Sequence, residues 1–304
     1  MADDGAEQKV RAVLEKTKLF TLNGEEFELI YCGKPTISGG GGEVKTDIYI
    51  KAKKLSNQKI EEIKISYKKP SFSFVENKIR KERAEKIYGI KWSKIIQTQI
   101  TEIKKEFQQK PLIYFEKKGR NEKGSITLGW RYEMEHNGSR KLSTKIKQDI
   151  SQQIWKNQNA DDRYVHGFIE GKQIQFSGMP NFCLTRDPDE VKTAVDVFDN
   201  LISMDVIVET HGNITSSFLA QNYRTEKHKQ EGNTRDLAVW INWKVEDGKL
   251  ACEYVFDKPL EMESGKAFQN LGDCLVSLGH NIDDKNFNIE SIKNLIHSSV
   301  STFS

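Results

Sequence analysis

Two runs of alternating hydrophobicity meet across a short polar turn in TDIYIKAKKLSNQKIEEIKISYKK, residues 46–69. This pattern constrains the fold more than any other segment. Period-two alternation is what a strand with one buried face requires, because successive side chains point to opposite sides. Ile48 and Ile50 share one side of the first run, and Ile63 and Ile65 share one side of the second. The LSNQ stretch between the runs has turn chemistry, so an antiparallel hairpin is predicted. Glu62, Lys64 and Ser66 then stand on the face opposite the isoleucines, while Asp47 opens the partner strand. The turn falls about midway between Asp47 and Glu62, which predicts that pairing brings the two carboxylates together.

Glu-x-Lys is common in a chain this rich in both residues. Its occurrences include Glu7/Lys9, Glu43/Lys45, Glu62/Lys64 and Glu102/Lys104. The first and last fall on predicted helices, where positions two apart do not share a face. Glu43/Lys45 lies in the glycine-rich approach to a strand. Of these four, only Glu62/Lys64 falls in a strand and has an aspartate at the start of the neighbouring one. Two carboxylates can hold a divalent cation against a phosphate, and a lysine can orient or activate the attacking water.

The chain has 304 residues, 30% charged and 37% hydrophobic, with a net charge of +3. Its charges are unevenly placed. Residues 51–110 hold 17 Lys/Arg against 7 Asp/Glu, whereas residues 161–304 hold 14 against 23. A basic stretch beside the carboxylates suits a polyanionic partner. No apolar run reaches the length of a membrane span, and MADDGAEQKV is unlike a secretory leader. Cys32, Cys183, Cys252 and Cys274 are scattered, which predicts free thiols in a reducing, cytoplasmic setting. The six histidines show no metal-site spacing, and no phosphate-binding P-loop or Gly-x-Ser-x-Gly is present.

Along the chain, residues 5–18 read as a helix and 26–33 as a strand. A helix follows from about Val75 to Gln109, interrupted near Gly89 and expected to pack on the sheet. Residues 112–118 and 125–135 return to strand, and 142–157 to helix. Beyond them lie a hairpin over 163–178, a helix over 187–203, a hairpin over 236–257 and a final helix near 287–298. The change in charge suggests a boundary near 160–180.

Gly41-Gly42-Glu43-Val44-Lys45-Thr46-Asp47, followed by Glu62-Ile63-Lys64, resembles the PD-(D/E)XK nuclease superfamily, and within it type II restriction endonucleases. Thr46 stands where that superfamily nominally has proline. The resemblance implies an α/β fold: a restriction-endonuclease-like core with a mixed central sheet flanked by helices over residues 1–160. An added C-terminal α+β region over 161–304 would serve DNA recognition or dimerisation. It further implies that Asp47 and Glu62 ligate Mg²⁺ with the Ile63 carbonyl, and that Lys64 positions or deprotonates water. Glu7 or Glu15 of the first helix would be an accessory carboxylate. The implied activity is site-specific hydrolysis of double-stranded DNA to 5′-phosphate and 3′-hydroxyl ends. A homodimer and a DNA methyltransferase encoded nearby would accompany it.

Lys45, Ser66, Lys68 and Lys69 are candidate phosphate contacts on or beside the hairpin. Lys78, Arg80, Lys81 and Arg83 line a predicted helix. Residues 222–236 read as a polar loop in which Arg224 and Arg235 could reach base edges. Gly39–Gly42 would allow close approach of a phosphate. Three other readings accommodate the same residues: a repair, nicking or modification-dependent DNase of this fold, a non-catalytic DNA-binding protein, or an unrelated α/β protein with a chance hairpin.

Overall fold

The computed structural model describes residues 5–38, 43–70, 74–136, 142–146, 148–158, 160, 162–211, 213–230, 234–282, 284 and 286–304. Gly39–Gly42 lies outside these. The chain is mixed α/β and divides into two compact units that interleave in sequence. One comprises Met1–Ser73 with Lys147–Asn213, the other Phe74–Ile146 with Ile214–Ser304.

The first unit is built on a six-stranded mixed sheet. Helix α1 (Ala6–Leu14) leads into β1 (Leu19–Leu22), β2 (Glu25–Gly33), β3 (Ile48–Lys54) and β4 (Ile60–Lys68), which are neighbours in that order. All three junctions are antiparallel. Asn23 and Gly24 join β1 to β2 with φ of 53° and 79°, the left-handed pair that a two-residue hairpin turn needs. The strand Phe182–Thr185 then adds to β4 in parallel, and Leu201–Ser203 closes the far edge. A parallel neighbour requires a crossover, and within this unit residues 148–181 supply it, including the helix Gln148–Lys156.

Alternation dictates the core. Ile48, Ile50 and Ala52 of β3 and Ile63, Ile65 and Tyr67 of β4 are buried with Ala6, Val10 and Leu14 of α1. The α1 residues recur every four positions and so form one helix stripe. Phe20 stacks on Phe27 and on Phe198, with ring centroids 5.3 and 3.9 Å apart. Phe198 ends a short helix, Ala194–Phe198, whose entry is fixed by a Thr193/Asp196 capping box.

The second unit centres on long antiparallel strands, Ser125–His136, Ile214–Arg224, Asp236–Glu246 and Lys249–Val255. Asp247 and Gly248, with φ of 51° and 69°, turn the last hairpin, within the 236–257 stretch that the sequence marks as one. Phe107 meets Trp130 and Phe218 edge-on in the core of this unit.

Several expectations are corrected. The predicted helix over 75–109 forms three pieces, Lys81–Tyr88, Trp92–Glu102 and Lys104–Gln108, and belongs to the second unit rather than to the hairpin's sheet. The break is at Gly89, whose φ is 70°. A division at residue 160 does not hold either, because the parallel neighbour of β4 comes from residues 182–185. The predicted helix over 142–157 splits into the strand Ser143–Lys145 and the helix Gln148–Lys156, one in each unit. Residues 287–298 form a 3₁₀ turn, Ile289–Leu295, and the helix Ser264–Ser277, the longest among the described residues, has no counterpart in the sequence-based expectations. All four cysteines are free. Among the described residues no helix is long and apolar enough to cross a membrane.

Candidate active site

The predicted hairpin forms, but its register differs from the expected one. Ile48 pairs with Ile65, Tyr49 with Lys64 and Lys51 with Glu62. The level of Asp47 on β4 is therefore near Ser66, four residues beyond Glu62. At about 3.3 Å per residue this is on the order of 13 Å along the strand. The pairing is centred between Ser56 and Asn57, in the middle of LSNQ, whereas the midpoint of Asp47 and Glu62 falls between Lys54 and Leu55, so these two carboxylates do not face each other.

Asp47 sits immediately before β3. Its backbone N–H donates to the Ile65 carbonyl at 2.9 Å. One carboxylate oxygen accepts the Tyr67 N–H at 2.7 Å and the Ser66 hydroxyl at 3.4 Å, and Lys68 Nζ lies 3.9 Å from the same atom. Asp47 and Ser66 are both buried. Burial pushes the Asp47 carboxyl up to about 7; Lys68 opposes this, Glu7 reinforces it, and the Tyr67 N–H and Lys34 oppose it further.

Glu7 lies in the first turn of α1 and accepts a 2.7 Å hydrogen bond from Lys34 Nζ. The same ammonium is 3.6 Å from Glu43. Lys34 directly follows β2, and Gly33 pairs with Tyr49, so the sheet itself delivers Lys34 to the end where Asp47 stands. Burial pulls the Lys34 ammonium down, but Glu7, Glu43 and Asp47 outweigh it and hold the group above its ordinary range. Asp47, Ser66, Lys68, Glu7, Lys34 and Glu43 thus form one cluster at one end of the sheet.

Glu62 and Lys64 form a separate group further along the same strand. Glu62 accepts the Tyr49 hydroxyl at 2.7 Å. Lys64 Nζ donates to the Phe176 carbonyl at 3.1 Å, and burial lowers its pKa against the influence of Glu62. Asn181 locks this stretch: its side chain accepts from the Lys64 N–H at 2.7 Å and donates to the Glu62 carbonyl at 3.0 Å. The expected meeting of Asp47 with Glu62 and Lys64 is therefore corrected. Lysine and hydroxyl come to Asp47 from Ser66 and Lys68, two positions assigned only to phosphate contact.

The other named residues are dispersed. Ile63 is buried among the core isoleucines. Glu15 faces Arg11 at 3.5 Å, and Glu7 is the α1 carboxylate near Asp47. Lys45 Nζ bonds the Ile154 carbonyl, and Lys69 is exposed at the end of β4. In the second unit Arg224 lies 3.5 Å from Glu122, and Arg235 donates to Gln221 at 3.1 Å. Residues 222–224 are strand rather than loop, with Tyr223 paired to Gln230. Arg80 donates to Thr234 at 3.1 Å, and Arg83 pairs with Glu76 at 2.6 Å.

Lys34 was missed by sequence reasoning. Its only signal was its place at the end of β2, and that depends on knowing the sheet order. Among the described residues no three His, Cys, Asp or Glu side chains are gathered as a ready metal cage. Mg²⁺ is usually held by one or two carboxylates plus water and substrate phosphate. Asp47 and Glu7, which act on each other electrostatically, supply two carboxylates of that kind, and the Ser66 hydroxyl bonds Asp47. In comparisons with protein-family models, curated proteins and solved structures, nothing matches this chain.

Proposed function

We propose that the chain is a Mg²⁺-dependent, site-specific endonuclease of double-stranded DNA, of the type II restriction kind, on a PD-(D/E)XK-like core. The observation that carries this reading is the buried Asp47 at the head of β3, held against Ser66 and Lys68 with Glu7 nearby. It stands in a mixed sheet in which α1 precedes four antiparallel strands and a parallel strand adds to β4.

Asp47 and Glu7 would hold Mg²⁺. When bound, the ion supplies positive charge to the scissile phosphate and makes a coordinated water more acidic. Lys68 contributes an ammonium beside Asp47, placed to orient water and to stabilise charge that develops on the phosphate oxygens. Ser66 donates a hydrogen bond that holds the Asp47 carboxylate. Burial of Asp47 keeps bulk water from competing for it. In-line attack of water on phosphorus would expel the 3′-oxygen, leaving a 5′-phosphate and a 3′-hydroxyl. The lysines of residues 51–110 would draw in the DNA backbone. A homodimer suits a palindromic target, and a cytoplasmic setting with a companion methyltransferase would protect the host's own DNA.

Incubation with unmethylated phage DNA and Mg²⁺ tests the reading, with discrete bands expected. A smear would indicate a nonspecific nuclease, and binding without cutting a non-catalytic DNA-binding protein.

A further inference from the structure

The cluster around Asp47 holds one cation whose role the hydrolytic reading leaves open. Lys34 Nζ sits 2.7 Å from Glu7 and 3.6 Å from Glu43, and its side chain and that of Glu7 are only 22% and 23% exposed. Its charge also acts on Asp47. An ammonium held between carboxylates at the end of a sheet occupies the electrostatic position that a metal ion would take. Lysine suits such a post because its charge is compact and its four-carbon stem can swing away. A divalent ion entering with Lys34 in place would face a like charge in a poorly solvated setting, where Coulomb terms are strong.

We propose that Lys34 is the resident counter-cation of this site, and that a divalent ion engages Glu7 only by displacing the Lys34 ammonium from it. This rests on the reading of Asp47 and Glu7 as metal ligands. Lys34 is then a positioning residue. It keeps Glu7 in place at the sheet end without metal, and it raises the ion concentration at which the site fills. The displaced ammonium stays tethered beside the site, where a phosphate can take it up. Lys68 lies 3.9 Å from Asp47 on β4 and remains available to the reaction.

The test uses the full chain and Mn²⁺ alone, with binding read by electron paramagnetic resonance in the absence of DNA. Lys34→Met should bind Mn²⁺ at least about tenfold more tightly than the wild type, the scale on which groups around metal ligands act. Lys34→Arg, which keeps the charge, should stay close to wild type. Equal or weaker binding by Lys34→Met would overturn the proposal. Should that variant fail to fold, amine labelling of the wild type gives the same decision: Lys34 should label faster with Mg²⁺ than without it. Unchanged labelling at saturating metal would also overturn it. Absence of Mn²⁺ uptake by every protein, together with absence of Mg²⁺-dependent DNA cleavage, would remove the nuclease reading and this proposal with it. Uptake that is insensitive to Lys34 removes this proposal alone.

Discussion

The carboxylate of Asp47 accepts the backbone N–H of Tyr67 at 2.7 Å, while the Asp47 N–H bonds the Ile65 carbonyl. The side chain thus takes over a donor on β4 just past the end of the regular β3–β4 ladder. That anchor fixes which β4 residues lie beside Asp47. They are Ser66 and Lys68, whereas Lys64 and Glu62 lie two and four residues back along β4, on the order of 7 and 13 Å from that level.

Substitution distinguishes the two groups. Asp47→Asn and Lys68→Ala should each lower Mg²⁺-dependent cleavage by roughly 10²-fold or more, the usual scale for a proton-transfer or electrostatic group. Glu62→Gln and Lys64→Met should retain cleavage within about tenfold, since their partners are Tyr49 and the Phe176 carbonyl. Initial rates on supercoiled plasmid measure both effects. Full activity in Lys68→Ala with loss in Lys64→Met would return the site to the Glu62 end of the strand.

Asp47 also makes stability depend on pH. Its carboxyl is raised from 3.8 to about 7, chiefly by burial, so between those values the folded chain holds a proton that the unfolded chain has lost. Stability must then fall as pH rises from about 4 to about 7 and level off above that, by an amount on the order of a few kcal/mol. Asp47→Asn should remove this component. Urea unfolding at pH 5 and pH 8 should show the variant gaining on the wild type at the higher pH. An equal difference at both pH values would contradict the assignment.

Asn181 ties down the backbone of β4 at Glu62 and Lys64. It accepts from the Lys64 N–H and donates to the Glu62 carbonyl, and its own N–H donates to the Lys64 carbonyl at 2.9 Å. Asn181→Ala should lower stability by about 1–3 kcal/mol, because it strips two backbone groups of their partner. Asp47 is bonded elsewhere, so cleavage measured well below the melting temperature should change little.

Affinity for duplex DNA should fall steeply with salt, because each phosphate neutralised by lysine or arginine releases condensed counterions. Binding measured between 50 and 200 mM salt, roughly the range over which such losses reach 10³-fold or more, tests this. A flat dependence would argue against a DNA ligand.

Local pattern alone determined much of this molecule. Alternating isoleucines at 48, 50, 63 and 65 specified the hairpin and its buried face, because a strand's side-chain period is two. The helix over residues 5–18 and the second hairpin over 236–257 were legible in the same way. Asp47 stood out as the carboxylate at the strand's head, while the family resemblance offered Glu7 or Glu15 of α1 and local pattern did not choose between them. Tertiary structure decided what local pattern leaves degenerate. Register is one case: moving the pairing by an even number of residues keeps every side chain on its own face, so alternation cannot choose between Glu62/Lys64 and Ser66/Lys68 as the neighbours of Asp47. Sheet order is the other. Only the antiparallel placement of β2 beside β3 brings Lys34 to Glu7, and only a parallel strand returning from residue 182 completes the sheet, after the chain has left to build part of a second unit.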